Sequence, residues 1–466
     1  MHKQFIHLSR LVLEADTVLS VGSGDADGIV DDLVIRNHLG LPLIPGTTLA
    51  GCLIDAMSWR DSVNIKGGPE GPPDHQTFWA SNFITSDAVL LGHGLKVASS
   101  IYDTEDQQNI FKEYRTLPIR DHVRMTHLGA SDSDGMGKFD DEVVYKGSRF
   151  ICELELQWDE KNPDIWLKLL KHLEASFLLL GSGTRKGYGR LKCIAIYTKE
   201  FDLESDLAFY LEHDPALELP IGWDQVNPAQ HILPGFSTIH NTIKNVEGFH
   251  FGSGQEDADQ GTDDGVKMEK VIIWTSETAN VEYRYLIAGS SIKGVIAHRF
   301  AARHLTVEEI LEKELKEVPE DIASLESEDE IRKWVEKLKS VTDDPGTLFK
   351  TRHKDVLKSI FGFEKDDTSG DIGKLIIDDI YIHPDQVSIG NLTHNSIDRF
   401  SGGTIESALF SETFLTLKDT ISLTIHTHEP FPGNQLSDIS DIVGEISSGM
   451  LPLGGKTTKG YGAFKS

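Results

Sequence analysis

The chain has 466 residues, of which 39% are hydrophobic and 26% charged, and a formal net charge of -29. That length is about three times a usual domain, so two domains, or two plus an insertion, are expected; no apolar run approaches the roughly 20 residues of a helical membrane span. Three cysteines without a CxxC pair exclude a disulfide scaffold, and the opening MHKQFIHLSRLVLEADT, interrupted by charges, lacks the core of a secretory signal, so the cytoplasm is the expected compartment.

In chain order, the first cluster with chemical content is acidic: Asp25, Asp27, Asp31 and Asp32 lie on the segment GSGDADGIVDDLVIR. It is not an EF-hand, because Gly28 falls two places too early in the loop. Such carboxylates can take a proton or hold a hard cation. GTTLAGCLIDAMSWR then places Gly46, Thr47 and Thr48 ahead of an apolar-periodic run, which is how a capped helix begins. The amides at that end either seat a phosphate or are simply capped. FICELEL alternates as a strand with one buried face. The loop GSGTRKGYGRLK runs into a strand-like segment, so it is not a dinucleotide fingerprint, and GTTLAGC has Cys52 where a P-loop needs lysine. It reads as a loop laid against a polymer backbone, with Ser182, Thr184, Arg185 and Lys186 as donors and Gly187 allowing close approach, or else as a plain glycine hairpin. Glu200 to Asp224 holds eight acids and no Lys or Arg, an expected linker over residues 200–235.

The second half repeats this order. Gly252 to Asp264 is an acidic loop, and GSSIKGVIAHRF supplies Ser290, Ser291 and Lys293 at a second helix start. Thr306 to Pro345 holds fourteen acids against six bases, an expected charged helical insertion. KLIIDDIYI and ISLTIHT alternate as strands, and GGKTTKGYGAFK closes the chain with Lys456, Thr457, Lys459 and Gly460. The three acidic segments carry -21 of the -29, which leaves room for basic binding surfaces elsewhere. Nineteen histidines include no HExxH pair or zinc-spaced cluster, so no structural zinc is expected. LPLIPGTTLAGCLIDAM matches RYLIAGSSIKGVIAHRF, HVRMTHLGAS lies over NSIDRFSGGT, and KGYG recurs intact. Three blocks in one order predict a duplicated domain. Its strands and helices predict an α+β fold, two tandem ferredoxin-like, RRM-like domains at residues 1–199 and 236–466.

These motifs resemble the RAMP superfamily, the repeat-associated RNA-binding proteins of CRISPR systems, and in particular the backbone subunits of type III effectors. Two copies in one chain resemble the fused subunits of the type III-D branch. The resemblance implies a subunit that binds a crRNA guide and complementary target RNA beside other effector subunits, both RAMP neighbours and the large signalling subunit. It implies that a hairpin thumb kinks the duplex and that target RNA is cut there with Mg2+ or another divalent cation. Laying the family pattern G-I-D-x-P-V-I-R over DGIVDDLVIR places the essential acid and metal ligand at Asp31, with Asp32 adjacent. His122 and Arg124 in the first copy, with His394 and Arg399 in the second, fall in the segment resembling the RNA-contacting strand and loop, or else form surface salt bridges. Laying DGVKMEKVIIW over DGIVDDLVIRN puts Met268 opposite Asp31 and Glu269 opposite Asp32. The second copy is then expected to bind RNA but cut weakly or not at all, unless Glu269, Asp263 or Asp264 substitutes. The alternative is a purely structural crRNA-binding subunit.

Overall fold

The computed structural model of the chain describes residues 3–24, 30–70, 77–105, 109–123, 137–252, 261–304, 360–365, 369–371, 373–405, 409–429, 431 and 435–466. The expected helical insertion at 306–345, together with Asp25, Asp27 and Arg124, lies outside these residues. The chain divides into two compact units, residues 1–122, 139–235 and 269–284 in the first, and 123–138, 236–268 and 285–466 in the second. Both mix strands with helices.

In the first unit the frame is β1 (Phe5–Ala15), helix α1 (Gly46–Ala56), β2 (Ala88–Leu90), β3 (Arg149–Trp158), helix α2 (Asp164–Ala175) and β4 (Arg190–Asp202). The antiparallel sheet runs β4-β1-β3-β2, so the central pair is the first and third strands. Strand side chains alternate faces, and β1 is buried on both. Leu11 and Leu13 join the core with Leu49 and Leu53 of α1 and with Trp166, Leu169 and Leu173, one stripe of α2. Ile6, Leu8, Arg10 and Val12 face the other way and are equally buried.

What covers that second face is the acidic stretch expected as a linker. Asp224–Val226 adds a strand to β4, Leu203, Tyr210 and Trp223 pack on Ile6 and Leu8, and Leu217 and Leu219 pack near Val12. Arg10 clamps it, donating to Glu153 (2.6 Å), to the Asp214 carbonyl (2.6 Å) and to the Glu218 carbonyl (2.9 Å). Its guanidinium also lies over Trp223. The apolar alternation hidden among the acids is what makes the segment a packed layer.

Residues 269–284, which the repeat assigns to the second copy, group with the first unit. Ile272 and Ala279 enter its core, Trp274 Nε1 donates to the Gly147 carbonyl at 2.8 Å, and Lys270 meets Glu113 at 2.6 Å.

In the second unit the corresponding frame is β5 (Phe236–Asn245), helix α3 (Gly289–His304), β6 (Leu375–Ile377), β7 (Ile421–His428), helix α4 (Gln435–Ser447) and β8 (Phe464–Lys465). Its sheet order is β6-β7-β5-β8, again with the first and third strands central. Ile292 and Ile296 of α3 pack with Ile439, Ile442 and Val443 of α4 over Ile377, Leu423 and Ile425. The other sheet face is polar: Thr238, His240 and Thr242 of β5 are exposed. Among the described residues no helix is long and apolar enough to cross a membrane.

Candidate functional site

Asp31 and Asp32 are both exposed, on a segment that pairs beside the strand Lys138–Glu142. Asp31 Oδ2 accepts a hydrogen bond from the Asp140 amide at 3.0 Å, and Asp32 bridges Asp141 in parallel. Glu142 fixes the local register, since its carboxylate accepts from the Val34 amide (2.9 Å) and from Arg36 (2.7 Å).

One residue away on the same strand, Asp141 turns inward and is buried. It binds Lys186 Nζ of the glycine loop at 2.8 Å and His122 Nε2 at 3.0 Å. His122 stacks on Phe139 at 4.9 Å and its Nε2 lies 3.2 Å from the Tyr188 hydroxyl. Burial would raise the Asp141 carboxyl, but hydrogen bonds from His122 and Lys186 outweigh it and hold the group at about 2. A glycine-loop lysine is thus committed to a carboxylate on the strand that also anchors Asp31.

The second unit builds the same arrangement from different sequence. Asp263 Oδ2 accepts from the Ser411 amide at 2.7 Å, and Asp264 bridges Glu412 in parallel. Glu412 is buried and binds His394 Nε2 at 2.9 Å and Lys459 Nζ at 3.1 Å. Lys456 reaches both Glu412 and Asp264. His394 stacks on Phe410 at 5.2 Å, as His122 does on Phe139. Gly22 bridges Val34 in the first unit and Gly252 bridges Val266 in the second. The counterpart of Asp31 by hydrogen-bond register is therefore Asp263, and that of Asp32 is Asp264.

This corrects the overlay that set Met268 against Asp31. Glu269, offered there as a substitute acid, forms a bidentate pair with Arg120, both bonds 3.0 Å, with side chains 1% and 4% exposed. A carboxylate so enclosed holds the fold and has no access to a polymer.

The two glycine loops share one geometry. Each is a 3-10 turn, Thr184–Lys186 or Thr457–Lys459, ended by a left-handed glycine, Gly187 or Gly460. Gly189 and Gly462 also have positive φ, and a Cβ on either would meet a backbone oxygen, of Leu180 or Leu453, at 2.1 Å. Glycine is required there by close packing. Ser182 is exposed and donates to Ser20, Thr184 and Arg185 are half-buried, and Lys456 adopts a left-handed φ of 59° where the first loop has Gly183.

At the helix starts, neither Thr47 and Thr48 nor Ser290 and Ser291 stands at the cap of its helix. The first amide of α1, Gly46, donates to Asp87 Oδ1 at 2.7 Å, and that of α3, Gly289, donates to Asp379 Oδ1 at 2.8 Å. A carboxylate already sits where a phosphate was one expectation, on favourable helix-dipole terms. Thr47 and Ser291 are exposed; Thr48, Ser290 and Lys293 are half-buried. Asp87, Asp379, Asp141 and Glu412 carry no motif of their own; their distance in sequence from their partners, the helix starts for the first two and the glycine loops for the others, concealed them.

In the second unit the strands Val387–His394 and Phe410–Leu417 form a hairpin. Beyond it Asp398 Oδ1 accepts from the amides of Phe400 (2.8 Å) and Ser401 (2.6 Å). Arg399 is exposed, and Phe400 is 100% exposed. Among the described residues no group of three or more His, Cys, Asp or Glu is arranged to hold a metal.

No curated protein matches the sequence. One solved chain that the comparison matches comes from a cryo-EM structure of type III-B Cmr-beta in the apo state; at 15% identity the match covers 40% of this chain and 96% of that chain, with a TM-score of 0.31. A family model, the RAMP superfamily, matches residues 12–192 and 242–465. With both glycine loops, both helix starts and both carboxylate segments inside those bounds, the chain belongs to the RAMP superfamily.

Proposed function

We propose that this chain is a backbone subunit of a type III CRISPR effector in the cytoplasm, a tandem fusion of two RNA-gripping domains resembling the type III-D branch. The observation that carries the reading is the repeated Asp–amide bond beside a carboxylate, lysine and histidine cluster, Asp31 in one unit and Asp263 in the other. The strand orders support two ferredoxin-like copies, since each sheet runs fourth, first, third, second in its own unit. The glycine loops and hairpin face a crRNA guide and target RNA, with Ser182, Thr184, Arg185, Thr457, Gly460 and Arg399 as contacts. RAMP neighbours and the large signalling subunit complete the complex.

Cleavage is assigned to Asp31. RNA brings its own nucleophile, the 2′-hydroxyl, which attacks the adjacent phosphorus as the 5′-oxygen leaves. Asp31, exposed and fixed through the Asp140 amide, is the base that takes the 2′ proton. In the second unit Phe400, displayed on a pinned turn, is an exposed aromatic ring against which a base can stack. Asp31 and Asp32 are exposed oxygen donors, and one or two carboxylates with substrate oxygens are what Mg2+ or a similar cation takes, so the residues fit that ion. Its contribution is to neutralise charge on the phosphate.

The test is Asp31→Ala in the assembled complex with a labelled, guide-matched target. One product length should disappear while assembly and guide binding persist. If every product survives at wild-type rate, the chain is a structural crRNA-binding subunit.

A further inference from the structure

The two units differ in what they do with the sheet face opposite their helices. In the second unit that face presents Thr238, His240 and Thr242 to solvent. In the first it is closed by residues 203–226, clamped by Arg10. The strap has two sides. Leu203, Tyr210, Trp223, Leu217 and Leu219 point inward, whereas Leu207 (48% exposed), Phe209 (66%), Leu211 (73%) and Ile221 (98%) point outward. Four large apolar side chains are thus exposed within residues 207–221.

Their setting is electrostatically one-sided. The stretch from Glu200 to Asp224 contains eight acids and neither Lys nor Arg. Glu200 pairs with His7 and Lys161, but among the described residues Glu204, Glu212, Glu218 and Asp224 have no ion-pair partner. Such a field repels phosphates and also a second copy of a chain with net charge -29.

We infer that the strap 203–226 is a protein-docking surface whose occupant is a segment of another subunit carrying lysine or arginine beside large apolar residues. Leu207, Phe209, Leu211 and Ile221 receive the apolar side chains, and the unpaired carboxylates receive the cations and set orientation. A rigid mount suits this role, because a segment already ordered by Arg10 and Trp223 loses little entropy on binding. This inference does not depend on Asp31 or on cleavage.

The test uses the purified full chain and three synthetic peptides of equal length, alternating Lys with Leu, Lys with Ser, and Glu with Leu. The Lys/Leu peptide should bind with an affinity that falls with salt, and the other two should bind far more weakly. Leu207→Ser combined with Phe209→Ser should weaken it by about tenfold or more. Ile221→Ser, at a side chain too exposed to affect folding, should weaken it measurably with an unchanged melting temperature. Equal binding of the Lys/Ser peptide would reduce the surface to a polyanion and overturn the inference. So would unchanged affinity in both variants, or protection of the strap by single-stranded RNA or by self-association.

Discussion

Asp263 accepts the Ser411 amide at 2.7 Å, and it does so one residue before the Asp264–Glu412 bridge, as Asp31 accepts the Asp140 amide one residue before the Asp32–Asp141 bridge. Both units therefore carry an exposed acid in the same local setting. If Asp31→Ala removes one product, Asp263→Ala should remove a different one, each by about 100-fold or more in rate. Product lengths from single and double variants in the assembled complex check this. Met268→Asp should add nothing, since Met268 does not occupy the register.

Glu412 is expected to make the second unit sensitive to acid. Burial raises its carboxyl, but hydrogen bonds from Lys456, Lys459 and His394 prevail and hold it at about 2, against an ordinary 4.5. Because the folded value lies below the ordinary one, its stabilisation is complete above about pH 5 and disappears as pH falls toward 2. Asp141 behaves likewise in the first unit. Glu412→Gln should flatten the stability profile between those limits, measured by chemical denaturation at a series of pH values.

Lys186→Ala removes a cation from a buried carboxylate, leaving Asp141 with His122 alone. A loss of stability on the order of 2 kcal/mol is expected. Its effect on the salt dependence of guide binding should be smaller than that of Arg399→Ala, because Lys186 is engaged internally whereas Arg399 is exposed. Thermal melting and binding at several salt concentrations separate the two. An equal change in salt slope would return Lys186 to the RNA contacts.

Arg120 and Glu269 offer a sharper contrast. Glu269→Gln leaves a buried guanidinium short of charge and should cost about 3 kcal/mol. The pair Arg120→Met with Glu269→Met should recover most of that, since matched apolar replacements remove both desolvation costs. Cleavage products should be unchanged in the recovered variant. A lost product there would give Glu269 a chemical role after all.

Sequence reading located the glycine loops, both helix starts and the alternating strands, because each carries local information: a glycine where φ is positive, a period of two or of 3.6. It misplaced the counterpart of Asp31. Matching the letters of DGIVDD to DGVKME rewards identity along the chain, whereas the fold fixes register through bridges such as Gly252 to Val266. Asp141 and Glu412 were invisible for a related reason. Their partners lie 45 and 47 residues away in sequence, and one copy uses Asp where the other uses Glu. The strap was read as a linker from its acids, although Leu203, Tyr210, Leu217, Leu219 and Trp223 already supplied an inward face.

The carboxylates at the two helix starts act as built-in surrogate anions. With Asp87 on the Gly46 amide and Asp379 on the Gly289 amide, the first N–H of each helix is satisfied within the chain. Folding at these two points needs no bound anion. Amide exchange at Gly46 and Gly289 should be slow in the free chain and unchanged by added RNA.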